Sequence, residues 1–227
     1  MRKQLLVLSI LVLASLCAFA AEEYKIDPAH SSASFTVRHL MISNVSGRFR
    51  TMSGTILYDE ADPSKSSVIA VISTASITTD NDRRDKHLQS ADFFDAEKYP
   101  EIRFQSTKVM KQGDGFVAVG MLTIKDVSKE VTLPFSVAKA DAHGKSRLGI
   151  ESGTRINRYD YNVNYDATGA TVGKDVKIEL NIEAVETEAV KNEASKVAVK
   201  AVAVTMKSAP ESMKAGAPKT GAARTRQ

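Results

Sequence analysis

The feature of this sequence that most constrains its fold is the alternation of apolar and polar residues in short segments separated by turn-forming residues. The clearest segment runs from Val176 to Glu183, where aliphatic residues alternate with lysine, glutamate and asparagine. A period of two places the apolar side chains of an extended strand on one face. Glycine and aspartate cluster between such segments, for example at residues 112–115. The pattern between residues 21 and 185 therefore predicts an all-β domain in which each strand has one dry face.

The number of alternating segments indicates how the strands are arranged. About eight of them fall within about 165 residues, which suits a single domain. An antiparallel sheet of eight strands that closes into a barrel has no exposed edges, and its interior holds side chains and one small ligand. We therefore expect an eight-stranded antiparallel barrel. Residues 81–90 are the exception to the β pattern, because Asp80 or Asn81 can cap one short helix that directs Leu88 inward.

The first 20 residues have the order of a secretory signal peptide. Arg2 and Lys3 precede an apolar run, and a small-residue motif ends at Ala20. The run is shorter than the about 20 residues that a membrane-spanning helix needs. We therefore expect cleavage after Ala20 and a periplasmic protein. Cys17 is the single cysteine and lies inside this leader, so the mature chain has no thiol for disulfides, nucleophilic catalysis or metal binding.

Residues 186–227 differ in composition from the domain that precedes them. They are rich in alanine and lysine, which predicts a tail that is disordered or weakly helical. The whole chain has a net charge of +4, but the leader and this tail carry the excess, which leaves residues 21–185 with a net charge of −2. The domain therefore lacks the excess of positive charge that is typical of proteins that bind nucleic acid. The basic tail is expected to be solvated, with weak contact to an anionic membrane surface as the alternative.

The most distinctive segment is residues 76–104, which combines dense charge, the aromatic pair Phe93 and Phe94, and Pro100. It closely resembles the central segment of the YceI-like family. The resemblance continues through residues 24–31, 35–39, 45–49, 54–56, 120–124 and 131–133. It implies a lipocalin-like barrel in the periplasm that holds a long-chain amphiphile such as a polyisoprenoid. We expect a carrier that performs no chemistry and needs no cofactor.

Strand parity together with this resemblance predicts the residues of the binding site. The apolar lining is expected to come from Phe35, Val37, Phe49, Ile72, Phe93, Ile102, Phe104, Leu122, Phe135 and Leu148. A ligand head group is expected to meet Arg84, His87 and His39. Arg84 and His87 share one face of the predicted helix, because they are three residues apart. The alternative for these polar residues is an internal cluster that fixes the loop to the barrel wall.

Signals for other functions are weak. Ser136 and Lys139 fit a serine-enzyme motif, but positions three apart on a strand face opposite sides. The four histidines lack the spacing of a zinc site on one element, and no metal is expected. Two alternatives stay open, namely a lipid-modifying enzyme that uses His87 and an outer-membrane β-barrel. The oligomeric state also stays open, a homodimer included.

Two turns depart from the pattern of the family. Asp126 and Asn162 stand where the family favours glycine. Aspartate and asparagine are the residues that best replace glycine in the left-handed conformation. We therefore expect both turns to be kept.

Overall fold

A computed structural model describes residues 21–187 of the chain. The strands are β1 Glu22–Ile26, β2 Ser32–His39, β3 Ser43–Phe49, β4 Met52–Tyr58, β5 Ser67–Ser73, β6 Ile77–Thr78, β7 Glu101–Gln112, β8 Gly115–Ile124, β9 Val127–Ala142, β10 Lys145–Asn157 and β11 Val172–Glu186. The helix α1 spans Asp82–Gln89, and short 3-10 turns occupy Pro63–Lys65, Thr74–Ser76 and Arg158–Tyr161. The predicted leader, and all but the first two residues of the predicted tail, lie outside the described residues.

The strands of residues 21–187 form one antiparallel sheet that closes on itself. Its ring order is β1, β4, β5, β7, β8, β9, β10 and β11, and β1 pairs with β11 to complete the ring. The other three strands prolong this wall, because β2 pairs with β11, β3 with β2, and β6 with β3. In the chain, β2 directly follows β1, β3 directly precedes β4, and β6 follows β5. The consecutive strands β1 and β2, β3 and β4, and β5 and β6 therefore each act as one bent strand. The described chain is thus the predicted eight-stranded antiparallel barrel with one helix.

Helix α1 is the short helix that the sequence predicts. The side chain of Asn81 caps it by accepting a hydrogen bond from the backbone N–H of Arg84 at 3.0 Å. Asp82 and Asp85 lie in its first turn and Lys86 in its last turn, which matches the direction of the helix dipole. The cap therefore fixes where the helix begins.

The two turns that depart from the family pattern are both present, but only one has the expected conformation. Asn162 is left-handed, with φ at 56°. In the β8–β9 turn the residue with positive φ is Lys125, at 56°, and not Asp126. Asp126 instead accepts a hydrogen bond from the side-chain amide of Asn162 at 3.1 Å, so the two turns contact each other.

Two apolar clusters fill the two ends of the barrel. We call the end that carries α1 and the β8–β9 turn the upper end. The upper cluster includes Phe49, Phe93 and Tyr161, and the lower cluster includes Tyr24 and Leu148. Burying a large apolar side chain stabilises the fold by about 1.5–3 kcal/mol, so these clusters hold the barrel closed. The helices within residues 21–187 are all too short or too polar to cross a bilayer.

Candidate functional site

The interior of the barrel contains a cavity of about 220 Å³ between the two clusters. Its wall is almost entirely apolar, because the strands direct alternate residues inward. On β10, for example, Ile150, Ser152, Thr154 and Ile156 face the cavity, while the residues between them face outward. The cavity is therefore a direct product of the alternation seen in the sequence.

Nine of the ten predicted lining residues lie on this wall. They are Phe35, Val37, Phe49, Ile72, Phe93, Ile102, Phe104, Leu122 and Phe135. Leu148 does not, because it is fully buried in the lower cluster against residues such as Tyr24 and Ala184. Leu148 faces inward as its parity predicts, but it lies below the cavity and closes its floor. That any of these residues binds a ligand stays a prediction.

Aromatic side chains cover the upper end of the cavity. Phe49 lies 6.0 Å from Phe35 and 5.7 Å from Phe94, measured between ring centroids. Leu88 of α1 also reaches the cavity wall, as predicted for the inward face of the helix. The helix and the residues that follow it therefore form a lid of apolar side chains.

Arg84 is placed on α1 as predicted, but its guanidinium group binds the protein itself. Its Nε donates to the hydroxyl of Thr79 at 2.7 Å, and its Nη2 donates to the carbonyl of Thr79 at 2.9 Å. Asp85 accepts hydrogen bonds from Thr78 and from the hydroxyl and N–H of Thr79. Burial tends to raise the pKa of Asp85, but these hydrogen bonds outweigh it and the pKa is lowered. This arrangement is the internal cluster that fixes α1 to the wall.

His87 and His39 lie at different places on the upper rim. The Nε2 atom of His87 is 2.9 Å from a carboxylate oxygen of Asp92, and the ring packs edge-on against Phe93 and Tyr165 at 5.0 and 4.9 Å. His39 ends β2 and pairs with Val172 of β11. Neither histidine is part of the cavity wall, although Phe93 and Val172 beside them are. A role in binding a head group stays a prediction for all three polar residues.

Arg158 is a polar residue of the wall that the sequence analysis did not single out. It is the one charged side chain among the described residues that line the cavity, and it is only 5% exposed. Its guanidinium donates to the carbonyl oxygens of five residues and to the hydroxyl of Tyr159. The five are Val163, Tyr165, Asp166, Val172 and Gly173. Parity could have revealed it, because Arg158 continues the inward even-numbered positions of β10.

Arg158 and Asp166 together organise the segment that connects β10 to β11 over the upper end. We call residues 158–171 the mouth segment. The carboxylate of Asp166 accepts hydrogen bonds from the hydroxyl of Thr168 and from the N–H groups of Thr171 and Val172. These hydrogen bonds lower the pKa of Asp166 from 3.8 to about 2. The charged form of this carboxylate thus holds the end of the mouth segment.

This shift predicts an acid-sensitive mouth segment. A carboxylate whose pKa is lower in the folded state stabilises the fold above its ordinary pKa, and this contribution is lost as the pH falls from about 4 to about 2. We expect Asp166→Asn to lower the melting temperature at pH 7 and to reduce the loss of stability over that acid range. Melting curves between pH 2 and 7 check this, with exposed Asp114→Asn in the β7–β8 turn as the control. Parallel pH profiles for both variants would contradict the role of Asp166.

One side of the barrel wall has an interrupted ladder of backbone hydrogen bonds. The pairing of β9 with β10 covers the residues from Phe135 to Ala142 and from Lys145 to Ser152. Toward the upper end from this point, the described residues of β9 pair only with β8, and those of β10 pair only with β11, so β9 and β10 no longer pair with each other. Side chains bridge the top of this seam, since Lys129 lies 3.1 Å from Asp160 of the mouth segment. Above Phe135 and Ser152 the two strands are thus joined at the top by this ion pair and not by a backbone ladder.

A second polar cluster lies away from the cavity. Asp27, His30 and Glu183 offer ligand atoms within 4.8 Å of one another. Asp27 forms a hydrogen bond to His30 at 2.9 Å, which raises the pKa of the histidine and lowers that of the carboxyl group. Arg147 forms an ion pair with Glu183 and lies 3.9 Å from Asp27. Arg147 thus already offsets negative charge in the cluster, which ties β10 and β11 to the β1–β2 bend.

A closed eight-stranded antiparallel barrel with an apolar interior is the architecture of lipocalin-like proteins. The sequence matches the YceI-like domain over residues 24–184, and the chain belongs to this family. A UPF0312 protein of Serratia proteamaculans (strain 568) is 37% identical over 172 residues, which cover 74% of this chain and 88% of that protein.

Solved structures share the fold. BcnA of Burkholderia cenocepacia has a TM-score of 0.65 and 25% identity, covering 70% of this chain and 98% of that chain. A polyisoprenoid binding domain from Saccharophagus degradans has a TM-score of 0.57, covering 72% of this chain and 98% of that chain. Its identity is 14%, so this second likeness is one of fold alone.

Proposed function

We propose that the protein binds the hydrocarbon tail of a long-chain amphiphile, such as a polyisoprenoid, inside the barrel and carries it through the periplasm. Membership of the YceI-like family supports this, and so does the shared fold with a domain described as polyisoprenoid binding. The observation that carries the proposal is the apolar cavity itself. Each methylene group buried there stabilises the complex by about 0.8 kcal/mol, so the tail supplies most of the affinity.

The chemistry of the wall indicates which part of the ligand lies inside. The guanidinium of Arg158 is surrounded by carbonyl oxygens, so it offers no free donors to an anion. A charged head group in this cavity would lose its hydration without compensation. The head group is therefore proposed to stay outside, on the upper rim. At about 220 Å³ the cavity encloses part of a long chain, and the rest extends toward the rim.

Binding without chemistry is proposed over the enzyme alternative. A general base at His87 would have to reach the proton of a bound substrate. Its ring packs between Phe93 and Tyr165 and is not part of the wall of the cavity in which the ligand tail is proposed to lie. The outward residues of β11, such as Lys177 and Glu179, are exposed charges. Charges on a lipid-facing surface are costly, so an outer wall in contact with water is proposed over an outer-membrane barrel.

The location and partners of the protein are part of the proposal. Residues 1–20 are proposed to direct export, after which the chain begins at Ala21. The lysines of residues 186–227 are proposed to give weak contact with an anionic membrane surface. No nucleic acid, metal or cofactor is part of the proposed function, and a homodimer stays open.

The proposed function is tested by the lipid that the protein retains. We expect protein isolated from the periplasm, without detergent, to release a long-chain lipid into organic solvent and to bind added geranylgeraniol in competition with N-phenyl-1-naphthylamine. Mass spectrometry of the extract and displacement of the fluorescent probe measure the two results. An extract that matches the buffer blank, together with no displacement by geranylgeraniol, would overturn the proposal.

A further inference from the structure

The turn between β2 and β3 exposes three consecutive large apolar side chains. We call residues 40–42 the hairpin tip. Leu40 is 51% exposed, Met41 63% and Ile42 80%. Ile69, Met121 and Tyr165, the other exposed large apolar residues of the described chain, are not neighbours in the sequence. A run of exposed apolar residues at the tip of a hairpin is unfavourable in water unless it contacts something else.

The backbone of the hairpin tip shows that this composition is unfavourable for the turn as well. Leu40 and Met41 have φ angles of 49° and 56°, the left-handed region in which Asn-Gly is the preferred pair. Arg38 holds the turn by donating to the carbonyl of Met41 at 2.8 Å. The chain thus keeps bulky apolar side chains where a polar turn would be more stable. Strain that is kept in this way points to a function of these side chains.

The hairpin tip lies beside the mouth segment. The N–H of Leu40 donates to the carbonyl of Thr171 at 2.8 Å, at the end of that segment. Val37, on the strand that leads to the tip, lines the cavity, and so does Val172, which pairs with His39. Whatever the hairpin tip contacts therefore lies next to the rim of the cavity.

The charge around the hairpin tip indicates the chemistry of its partner. From Pro28 to Tyr58 the chain contains Arg38, Arg48 and Arg50 but no aspartate or glutamate. The adjoining mouth segment has two carboxylates: Asp166 accepts hydrogen bonds from the N–H groups of Thr171 and Val172, and Asp160 forms an ion pair with Lys129. An apolar tip on an acid-free hairpin suits a surface that is anionic outside and apolar beneath.

We infer that the hairpin tip inserts into the surface of an anionic phospholipid bilayer and thereby places the rim of the cavity at the membrane. The inference rests on the proposed function, because a barrel that binds a lipid tail must take it from a membrane or return it there. Side chains at an interface reach about 5–10 Å into the boundary between head groups and acyl chains. The three side chains of the hairpin tip suit this depth.

The absence of tryptophan from the sequence allows a direct test. In the full exported chain, Ile42→Trp introduces a single indole at the tip, and Ile69→Trp introduces one on the outer wall of β5. On vesicles of phosphatidylglycerol and phosphatidylethanolamine, we expect a blue shift and quenching by brominated lipids for Ile42→Trp only. Both variants carry the same basic tail, so contact through the tail alone would leave both spectra unchanged. Unchanged fluorescence for Ile42→Trp would overturn the inference and leave a protein partner as the occupant.

A second variant separates membrane docking from ligand binding. The double variant Leu40→Asn, Met41→Gly gives the turn its preferred residues, so the fold is expected to be at least as stable. We expect its partition onto the same vesicles to fall about 10- to 100-fold, because two apolar side chains are lost. Its affinity for geranylgeraniol added from ethanol, without vesicles, is expected to be unchanged.

The two readouts fail in different ways. If the unsubstituted chain did not bind geranylgeraniol, the proposed function would be contradicted. Normal geranylgeraniol binding combined with equal vesicle partition of the unsubstituted chain and the double variant would contradict membrane docking alone. If the unsubstituted chain partitioned equally onto vesicles of pure phosphatidylcholine and onto vesicles that contain phosphatidylglycerol, the inference that the surface is anionic would be overturned.

Discussion

Filling the cavity from its wall is expected to weaken lipid binding about 100-fold while the barrel stays folded. Ala70 of β5 and Thr154 of β10 lie on strands opposite each other in the ring, and both face the cavity. The phenyl ring of Ala70→Phe or Thr154→Phe takes the room of about four methylene groups of a ligand tail, which corresponds to an affinity loss of about 100-fold. Displacement of N-phenyl-1-naphthylamine by geranylgeraniol measures this loss.

The outward neighbours of these residues provide matched controls. Ile69→Phe and Arg155→Phe add the same ring to the outer wall, where both side chains are exposed. We expect these controls to bind as tightly as the unsubstituted chain. Overpacking costs typically about 1–3 kcal/mol, so circular dichroism and melting curves must show that the inward variants are folded. Folded inward variants with unchanged affinity would show that the ligand binds outside the cavity.

The fold and most of the wall could be predicted because strand parity is a local property of the sequence. Alternation determines which side chains face inward, and Phe35, Phe104 and Phe135 follow it. Parity does not determine the height of a side chain along the barrel. Leu148 and Ile150 both face inward on β10, but only Ile150 reaches the cavity. The position of a residue along the barrel axis depends on how the register shifts from strand to strand around the closed barrel. The alternation of apolar and polar residues within one strand does not determine this register.

The polar part of the site could not be predicted in the same way. Spacing shows that Arg84 and His87 share a helix face, but it does not show what their donors already bind. In the fold, Arg84 is committed to Thr79 and His87 to Asp92. Parity could have placed Arg158 on the inward face, but not its partners, which lie up to 15 residues further along the chain. Hydrogen bonds of this kind depend on the tertiary path of the mouth segment.

Replacing Arg158 is expected to have the largest effect on stability of any single substitution near the cavity. Arg158→Met keeps an unbranched apolar stem but removes every donor from the five carbonyl groups, in and just after the mouth segment, that the guanidinium binds. Each carbonyl left without a partner costs about 1–3 kcal/mol, although some will find water. We expect a total loss of about 3–5 kcal/mol, as for other buried charged networks that lose one member. For a domain of this size, that corresponds to a fall in melting temperature of about 6–20 °C.

The control for this prediction lies three residues earlier, on β10. Arg155 is exposed on the outer face of β10, so Arg155→Met should change the free energy of unfolding by no more than about 0.5 kcal/mol. Arg158→Lys keeps the positive charge, but one ammonium group cannot replace the fork of five N–H donors, so an intermediate loss is expected. If Arg158→Lys were as stable as the unsubstituted chain, charge alone would hold the mouth segment. If Arg158→Met matched Arg155→Met, the carbonyl groups around Arg158 would be satisfied by other means, and Arg158 would not organise the rim of the cavity.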